Sequence, residues 1–91
     1  MLLVSYDISD DKLRTRFSKF LSKFGYRLQY SVFQIDNSER LLSIIQAEIK
    51  DKFEKKFCET DSVIIYKIPD YCDTMRFGYA RNEDKDFFII E

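Results

Sequence analysis

The order of patterns along the chain predicts an α+β fold of the form β-α-β-β-α-β. Two segments carry apolar residues at helical spacing, and the segments around them are short, apolar and rich in β-branched and aromatic residues. The 91 residues include nine Phe and six Tyr but only two Gly and one Pro, which is typical of an ordered globular protein. We therefore expect a single domain over residues 1–91.

The first strand and the first helix are predicted from residues 2–25. Alternation over 2–8 separates two faces, one with Leu2, Val4, Tyr6 and Ile8 and the other with Leu3, Ser5 and Asp7. A helix should follow from about Asp11 to Phe24, with Ser9 or Asp10 as its N-cap and Gly25 as a left-handed stop. Its apolar stripe consists of Leu13, Phe17, Phe20, Leu21 and Phe24.

The sequence pattern in the middle of the chain predicts strand followed by helix. Residues 26–35 are strand formers that fit either one long bent strand or a tight pair, and the lack of turn residues favours the single strand. A second helix is predicted from about Glu39 to Phe57, after Asp36, Asn37 and Ser38 supply a turn and its cap. The alternating charges over 50–56 are typical of a solvated helix face.

The last strand signals lie at 62–68, which Pro69 ends, and in the tail over 79–91, where 87–90 are all apolar. The apolar helix stripes need a sheet to pack on, so the sequence predicts one antiparallel sheet with both helices on one face, the ferredoxin-like arrangement. Nothing in this pattern covers the other face, so a partner, a ligand or a nucleic acid should do so.

Composition restricts the chemistry. There is no histidine, so hydrolysis would depend on carboxylates, lysine, tyrosine or a metal-bound water. The net charge of −1 gives no overall basic field. Cys58 and Cys72 match neither a zinc nor a redox motif, and no segment approaches the ~18 apolar residues of a membrane span, so we expect a cytoplasmic protein that does not bind membranes.

Two features are candidates for a site. Asp7 ends an apolar strand, where an unpaired carboxylate is costly if buried, so a metal ion, a basic side chain or a helix N-terminus should accompany it. The first helix carries a basic ridge opposite its apolar stripe, comprising Lys12, Arg16, Lys19 and Lys23, with Arg14 and Arg27 close in sequence.

The chain also resembles a known family. Four segments carry the resemblance: residues 6–8, the start of a helix with Asp11, Arg14 and Arg16, residues 25–33 and residues 61–66. These segments resemble, in order and spacing, the second core family of CRISPR-associated adaptation proteins.

This resemblance implies a homodimer whose sheets face each other, so that Asp7 and its symmetry mate could share one Mg²⁺ or another divalent cation. Members of the family are described as metal-dependent endonucleases on RNA or DNA, which would make Asp7 catalytic. Ser5, Gln29, Ser31 and Phe33 are then interface or site-adjacent residues.

The resemblance equally implies a non-catalytic scaffold that binds a protospacer duplex and bridges integrase dimers. In that role the residues on the nucleic acid would be Lys12, Arg14, Arg16, Lys19, Lys23 and Arg27, and the tail over 79–91 would pair with the partner subunit or the integrase. Gln34 replaces an acidic residue of many relatives, which favours the scaffold. A single-strand RNA-binding module and a toxin-like ribonuclease remain more distant alternatives; the first lacks its Lys/Arg-Gly-Phe pattern here.

Overall fold

The computed structural model describes residues 1–78 and confirms the predicted order of elements. The elements are β1 (Leu2–Asp7), α1 (Asp11–Ser22), β2 (Gly25–Gln29), β3 (Val32–Ile35), α2 (Glu39–Glu48) and β4 (Ser62–Lys67). A π-helical turn (Ile49–Phe53) and a 3-10 turn (Glu54–Lys56) extend α2. The tail strand predicted over 79–91 lies outside the described residues.

The four strands form one antiparallel sheet in the order β2-β3-β1-β4. With the two helices between the strands in sequence, this is the ferredoxin-like α+β fold that the sequence predicts. β1 and β3 are the central strands, and Val4 lies opposite both Phe33 and Ile65.

The core lies between the sheet and the helices. Leu2, Val4 and Tyr6 of β1 are at most 3% exposed, as the alternation predicts. The ring of Phe17 on α1 meets Tyr6 edge-on, with ring centroids 5.0 Å apart. It meets Phe53, beyond α2, at the same distance. Both helices therefore cover the same face of the sheet.

The start of α1 is confirmed and its end is not. The side chain of Asp10 accepts a hydrogen bond from the N–H of Leu13 at 2.8 Å, which makes Asp10 the N-cap. The helix ends at Ser22, and Gly25 begins β2 without a positive φ, so the predicted left-handed stop is wrong. A Cβ at Gly25 would lie 2.0 Å from the carbonyl oxygen of Gln34, so glycine is needed there for close approach of two strands.

The single long strand favoured over 26–35 is also wrong, because the chain reverses at Tyr30 and Ser31 to form the pair β2 and β3. The register shifts between Arg27 and Gln29, which is a β-bulge. The N–H of Tyr6 donates to the carbonyl of Ser31 at 3.1 Å and holds the turn against β1. The bulge and this tertiary hydrogen bond support a reversal that lacks the usual turn residues.

The second helix begins as predicted, with Ser38 as its cap, but it does not remain α-helical to Phe57. The apolar residues Ile45, Ile49, Phe53 and Phe57 stand four apart, and a four-residue step overshoots a full α-helical turn by about 40°. The N–H of Glu54 donates to the carbonyl of Ile49, so this turn is wider. The wide turn offsets the drift and keeps Phe53 in the core.

Candidate functional site

The face of the sheet opposite the helices, here called the open face, carries the side chains that pair with Leu3, Ser5 and Asp7 across the strands. Within residues 1–78, no helix covers it. Tyr26, Ile64 and Tyr66 are 48–49% exposed, although they are large and apolar. An exposed apolar patch of this kind is typical of a surface that binds a partner.

Asp7 is the last residue of the central strand β1 and lies opposite Ser62 of β4. The sequence suggested that Asp7 is buried and therefore needs a partner. Its side chain is exposed, so there is no burial cost that a partner must offset. No described residue forms an ion pair or a side-chain hydrogen bond with its carboxylate. Asp7 is therefore available to a ligand from outside the subunit.

The neighbouring carboxylates are engaged in holding the fold. Asp10 caps α1, and Asp11 forms an ion pair with Arg14. Asp61 accepts hydrogen bonds from the backbone N–H of Cys58 and from the N–H of Ser9, both at 2.9 Å. The contrast singles out Asp7 among the carboxylates around this end of β1.

Asp61 clamps the loop that follows Asp7. Its carboxylate also accepts from the Ser9 hydroxyl at 3.0 Å, so it joins the β1–α1 loop to the loop before β4. Hydrogen bonds from the backbone N–H groups of Cys58 and then Ser9 lower the pKa of Asp61. In the sequence, Asp61 stood out only as part of a family motif. Its position before a strand gives no indication that it would bind Ser9, which is far away in the chain.

Cys58 lies beside the clamp as an exposed thiol. Its Sγ is 3.3 Å from the Ser9 hydroxyl and 3.2 Å from the Thr60 hydroxyl. Hydrogen bonding to Ser9, and next to Thr60, lowers the pKa of Cys58 because it favours the thiolate.

The site-adjacent candidates divide between the two faces. Ser5 lies on the open face, half-buried, and Gln29 pairs with Val32 of the same face. Ser31 lies in the turn beside the end of β1. Phe33, however, is fully buried on the helix-covered face and does not reach the open face. The turn at Tyr30 and Ser31 places Gln29 opposite Val32 on the open face, so the next residue, Phe33, lies on the other face.

The six predicted basic residues do not form one surface. Lys12, Arg16, Lys19 and Lys23 are exposed along α1. Arg14 turns away from them: it donates to the carbonyl of Ile8 at 3.0 Å and pairs with Asp11, and this hydrogen bond to Asp11 raises the pKa of Arg14.

Arg27 is also separate from the ridge. It lies half-buried on the helix-covered face, with its guanidinium carbon 5.3 Å from the centre of the Phe33 ring. This placement gives Arg27 a structural role within the sheet.

The donor set for a metal is small in a single subunit. Residues 1–78 contain no group of three or more His, Cys, Asp or Glu side chains that could hold a metal ion.

Among the same residues, no helix combines the length and the apolar character needed to cross a membrane.

Comparisons with known proteins agree with the predicted family. The model of the CRISPR associated protein Cas2 family matches residues 1–76. A CRISPR-associated endoribonuclease Cas2 from Mycobacterium tuberculosis is 34% identical, over 98% of this chain and 75% of the relative. Another from Thermus thermophilus is 37% identical, over 94% of both chains.

A solved structure gives the same result for the fold. A crystal structure of a Cas2 protein superimposes with a TM-score of 0.70 at 28% identity, over 98% of this chain and 95% of that one. The resemblance in the strand and helix motifs is therefore confirmed over nearly the full length: this chain belongs to the CRISPR associated protein Cas2 family.

Proposed function

We propose that this protein acts in CRISPR adaptation as a metal-dependent endonuclease, and that its catalytic centre forms between two copies of the chain, each contributing Asp7. The observation that carries the proposal is the exposed, unengaged carboxylate of Asp7 at the end of the central strand. It lies on a face whose apolar side chains, such as Ile64 and Tyr66, would be buried by a second copy.

The oxygen donors of Asp7 fit a hard divalent cation. Mg²⁺ is commonly anchored by one or two carboxylates and keeps several of its waters, so one Asp7 from each subunit would suffice. When bound, such a cation would polarise a phosphodiester and lower the pKa of a water to supply a nucleophile. Ser5 and Ser31 border the same end of β1 and would offer hydroxyl groups to the substrate.

The chain's own contribution is positioning. Asp7 ends a central strand: β1 pairs with β3 as far as Ser5 and with β4 as far as Asp7 itself. The Asp61 clamp fixes the loop beginning at Ser9, two residues after Asp7. The strand and the fixed loop hold the backbone of Asp7 in place, and a bound cation would order its carboxylate.

RNA is the favoured substrate, because the relatives from M. tuberculosis and T. thermophilus carry the name endoribonuclease. Duplex DNA is the alternative. We place the activity in the cytoplasm.

The test is cleavage of end-labelled single-stranded RNA and duplex DNA by the purified protein with and without Mg²⁺. Asp7→Asn keeps the size of the side chain but removes its charge, and should reduce cleavage at least about 100-fold, since even indirect metal partners contribute 10–100-fold. Asp51→Asn, at another exposed carboxylate, is the control and should cleave like wild type. Full activity of Asp7→Asn would reject the proposal.

A second candidate, a non-catalytic scaffold, is favoured by the exposed cations along α1. In that case a dimer would bind a protospacer duplex and bridge integrase subunits. Asp7→Asn should then leave spacer integration intact, whereas replacing Lys12 and Arg16 by glutamate should impair it. If integration failed in the Asp7 variant but not in the Lys12 and Arg16 variant, the scaffold function would be excluded.

A further inference from the structure

Tyr30 is an exposed aromatic side chain in the turn between β2 and β3. The residue is 69% exposed and takes no part in the apolar core. A single exposed ring is common on protein surfaces and needs no explanation by itself. Two further observations distinguish Tyr30: its position beside Asp7 and its contact with Arg14.

The turn places Tyr30 beside the end of β1. The antiparallel register of β1 and β3 continues into the turn, where the N–H of Tyr6 donates to the carbonyl of Ser31 at 3.1 Å. The next residue along β1 is Asp7, and the next residue along the turn is Tyr30. Tyr30 therefore lies level with Asp7, on the side of β1 that faces away from β4.

Arg14 supports one face of the Tyr30 ring. Its guanidinium carbon lies over the ring, 5.9 Å from the centroid, which is within the range of a cation–π contact. The same guanidinium donates to the carbonyl of Ile8 at 3.0 Å and pairs with Asp11. Arg14 is thus anchored to the residue that follows Asp7. Because Tyr30 is largely exposed, the other face of its ring is left to solvent.

A ring that is supported on one face and open on the other can receive a nucleic-acid base. Single-strand sites use such rings, because an unpaired base can stack on a side chain whereas the bases of a duplex are stacked on one another. We propose that Tyr30 stacks on an unpaired base of single-stranded RNA and positions the strand beside Asp7. The choice of RNA rests on the proposed function, and the preference for an unpaired base goes beyond it.

A second copy of the chain is the competing occupant of this surface. The copy would cover the open face, where Tyr26, Ile64 and Tyr66 form the exposed apolar patch. Tyr30 instead contacts Arg14 of α1, and α1 packs on the opposite face of the sheet. This contact draws the ring to the rim of the sheet, next to the proposed centre and away from the patch that a copy would bury.

The test measures binding of a short fluorescent single-stranded RNA by anisotropy, in EDTA so that metal-dependent cleavage does not interfere. Tyr30→Leu keeps an apolar side chain but removes the ring, and Tyr30→Phe keeps the ring. The matched control is Tyr71→Leu. Tyr71 is 87% exposed and follows β4 near the other end of β1, where the N–H of Ile68 donates to the carbonyl of Met1.

We expect Tyr30→Leu to weaken binding about 5- to 150-fold, the range for the loss of one base–aromatic stack. Tyr30→Phe and Tyr71→Leu should bind like wild type. An oligomer of the same length built from abasic sugars has no base to stack, so it should bind equally to wild type and Tyr30→Leu. Duplex RNA should not distinguish these two proteins either.

Four outcomes would overturn the inference: no RNA binding by the wild type, unchanged binding by Tyr30→Leu, an equal loss in Tyr71→Leu, or an equal loss with the abasic oligomer or the duplex. A change of oligomeric state in Tyr30→Leu on size-exclusion chromatography would also overturn it, because the ring would then belong to a contact between copies. The effect of Tyr30→Leu should persist in an Asp7→Asn background, so failure of the cleavage proposal is read separately.

Discussion

Replacing Gly25 by alanine should separate β2 from β3 at the start of their pairing. The nearest atom to a Cβ at this position is the carbonyl oxygen of Gln34, at 2.0 Å, and the Cγ1 of Ile35 follows at 2.8 Å. Ordinary contact of a Cβ begins at 3.4 Å, so the strands would have to move apart by the difference, 1.4 Å. A backbone oxygen cannot rotate away, so the pair Gly25–Ile35 must open.

The cost follows from two terms. Forcing atoms into a packed site costs about 1–3 kcal/mol, and a lost hydrogen bond of the ladder costs about 1 kcal/mol. We expect Gly25→Ala to lower the free energy of unfolding by about 3 kcal/mol, which for a domain of this size lowers Tm by roughly 12–24 °C. Urea and thermal denaturation at a fixed protein concentration measure both quantities.

Gly25→Asn separates this explanation from a left-handed helix stop. Asparagine tolerates the left-handed conformation, so it would rescue much of the stability if Gly25 served as a stop. Close approach of the strands predicts that asparagine is as harmful as alanine or worse. A loss below about 1 kcal/mol for alanine, or clear rescue by asparagine, would refute the reasoning.

Two further predictions concern the Asp61 clamp and its neighbour. The lowered pKa of Asp61 means that its charge stabilises the fold above the ordinary carboxyl pKa, near ~3.9, and that this stabilisation is lost as the pH falls through the lower folded value. Urea midpoints of wild type and Asp61→Asn should thus differ at pH 7 and converge in acid; coincidence at pH 7 would contradict the clamp. Since hydrogen bonding to Ser9 lowers the pKa of Cys58, iodoacetamide should alkylate Cys58 in a Cys72→Ser background at lower pH than it alkylates a free thiol. Ser9→Ala should raise the midpoint of that profile, and an unshifted profile would count against the contact.

The sequence was sufficient to predict features that depend only on residues close together in the chain. The alternation of β1 assigned every residue from Leu2 to Asp7 to the correct face, because a strand has a strict two-residue period. The caps of both helices were also predicted, since Asp10 and Ser38 act on backbone groups three residues away.

Where the structure depends on contacts between distant segments, the sequence was not sufficient. The turn at Tyr30 and Ser31 relies on a hydrogen bond from β1, and it places Gln29 and Val32 opposite each other on the same face. Phe33, which was expected near the site, therefore lies on the other face, in the core. The Asp61 clamp was not predicted for the same reason: it joins parts of the chain that are far apart in sequence.

The wide turn over Ile49–Phe53 also constrains which changes in chain length this segment can accept. Deleting one residue there would remove the wide turn and leave a regular α-helix, and the residues that follow would keep roughly their places, because a π-helical turn holds about one residue more than an α-helical turn. Inserting one residue would instead rotate every later residue by about 100° around the helix axis. Phe53 would then leave its contacts with Phe17 and Phe20 of α1, and the exposed Lys55 and Lys56 would rotate with it. The segment should therefore accept the loss of one residue more readily than the gain of one.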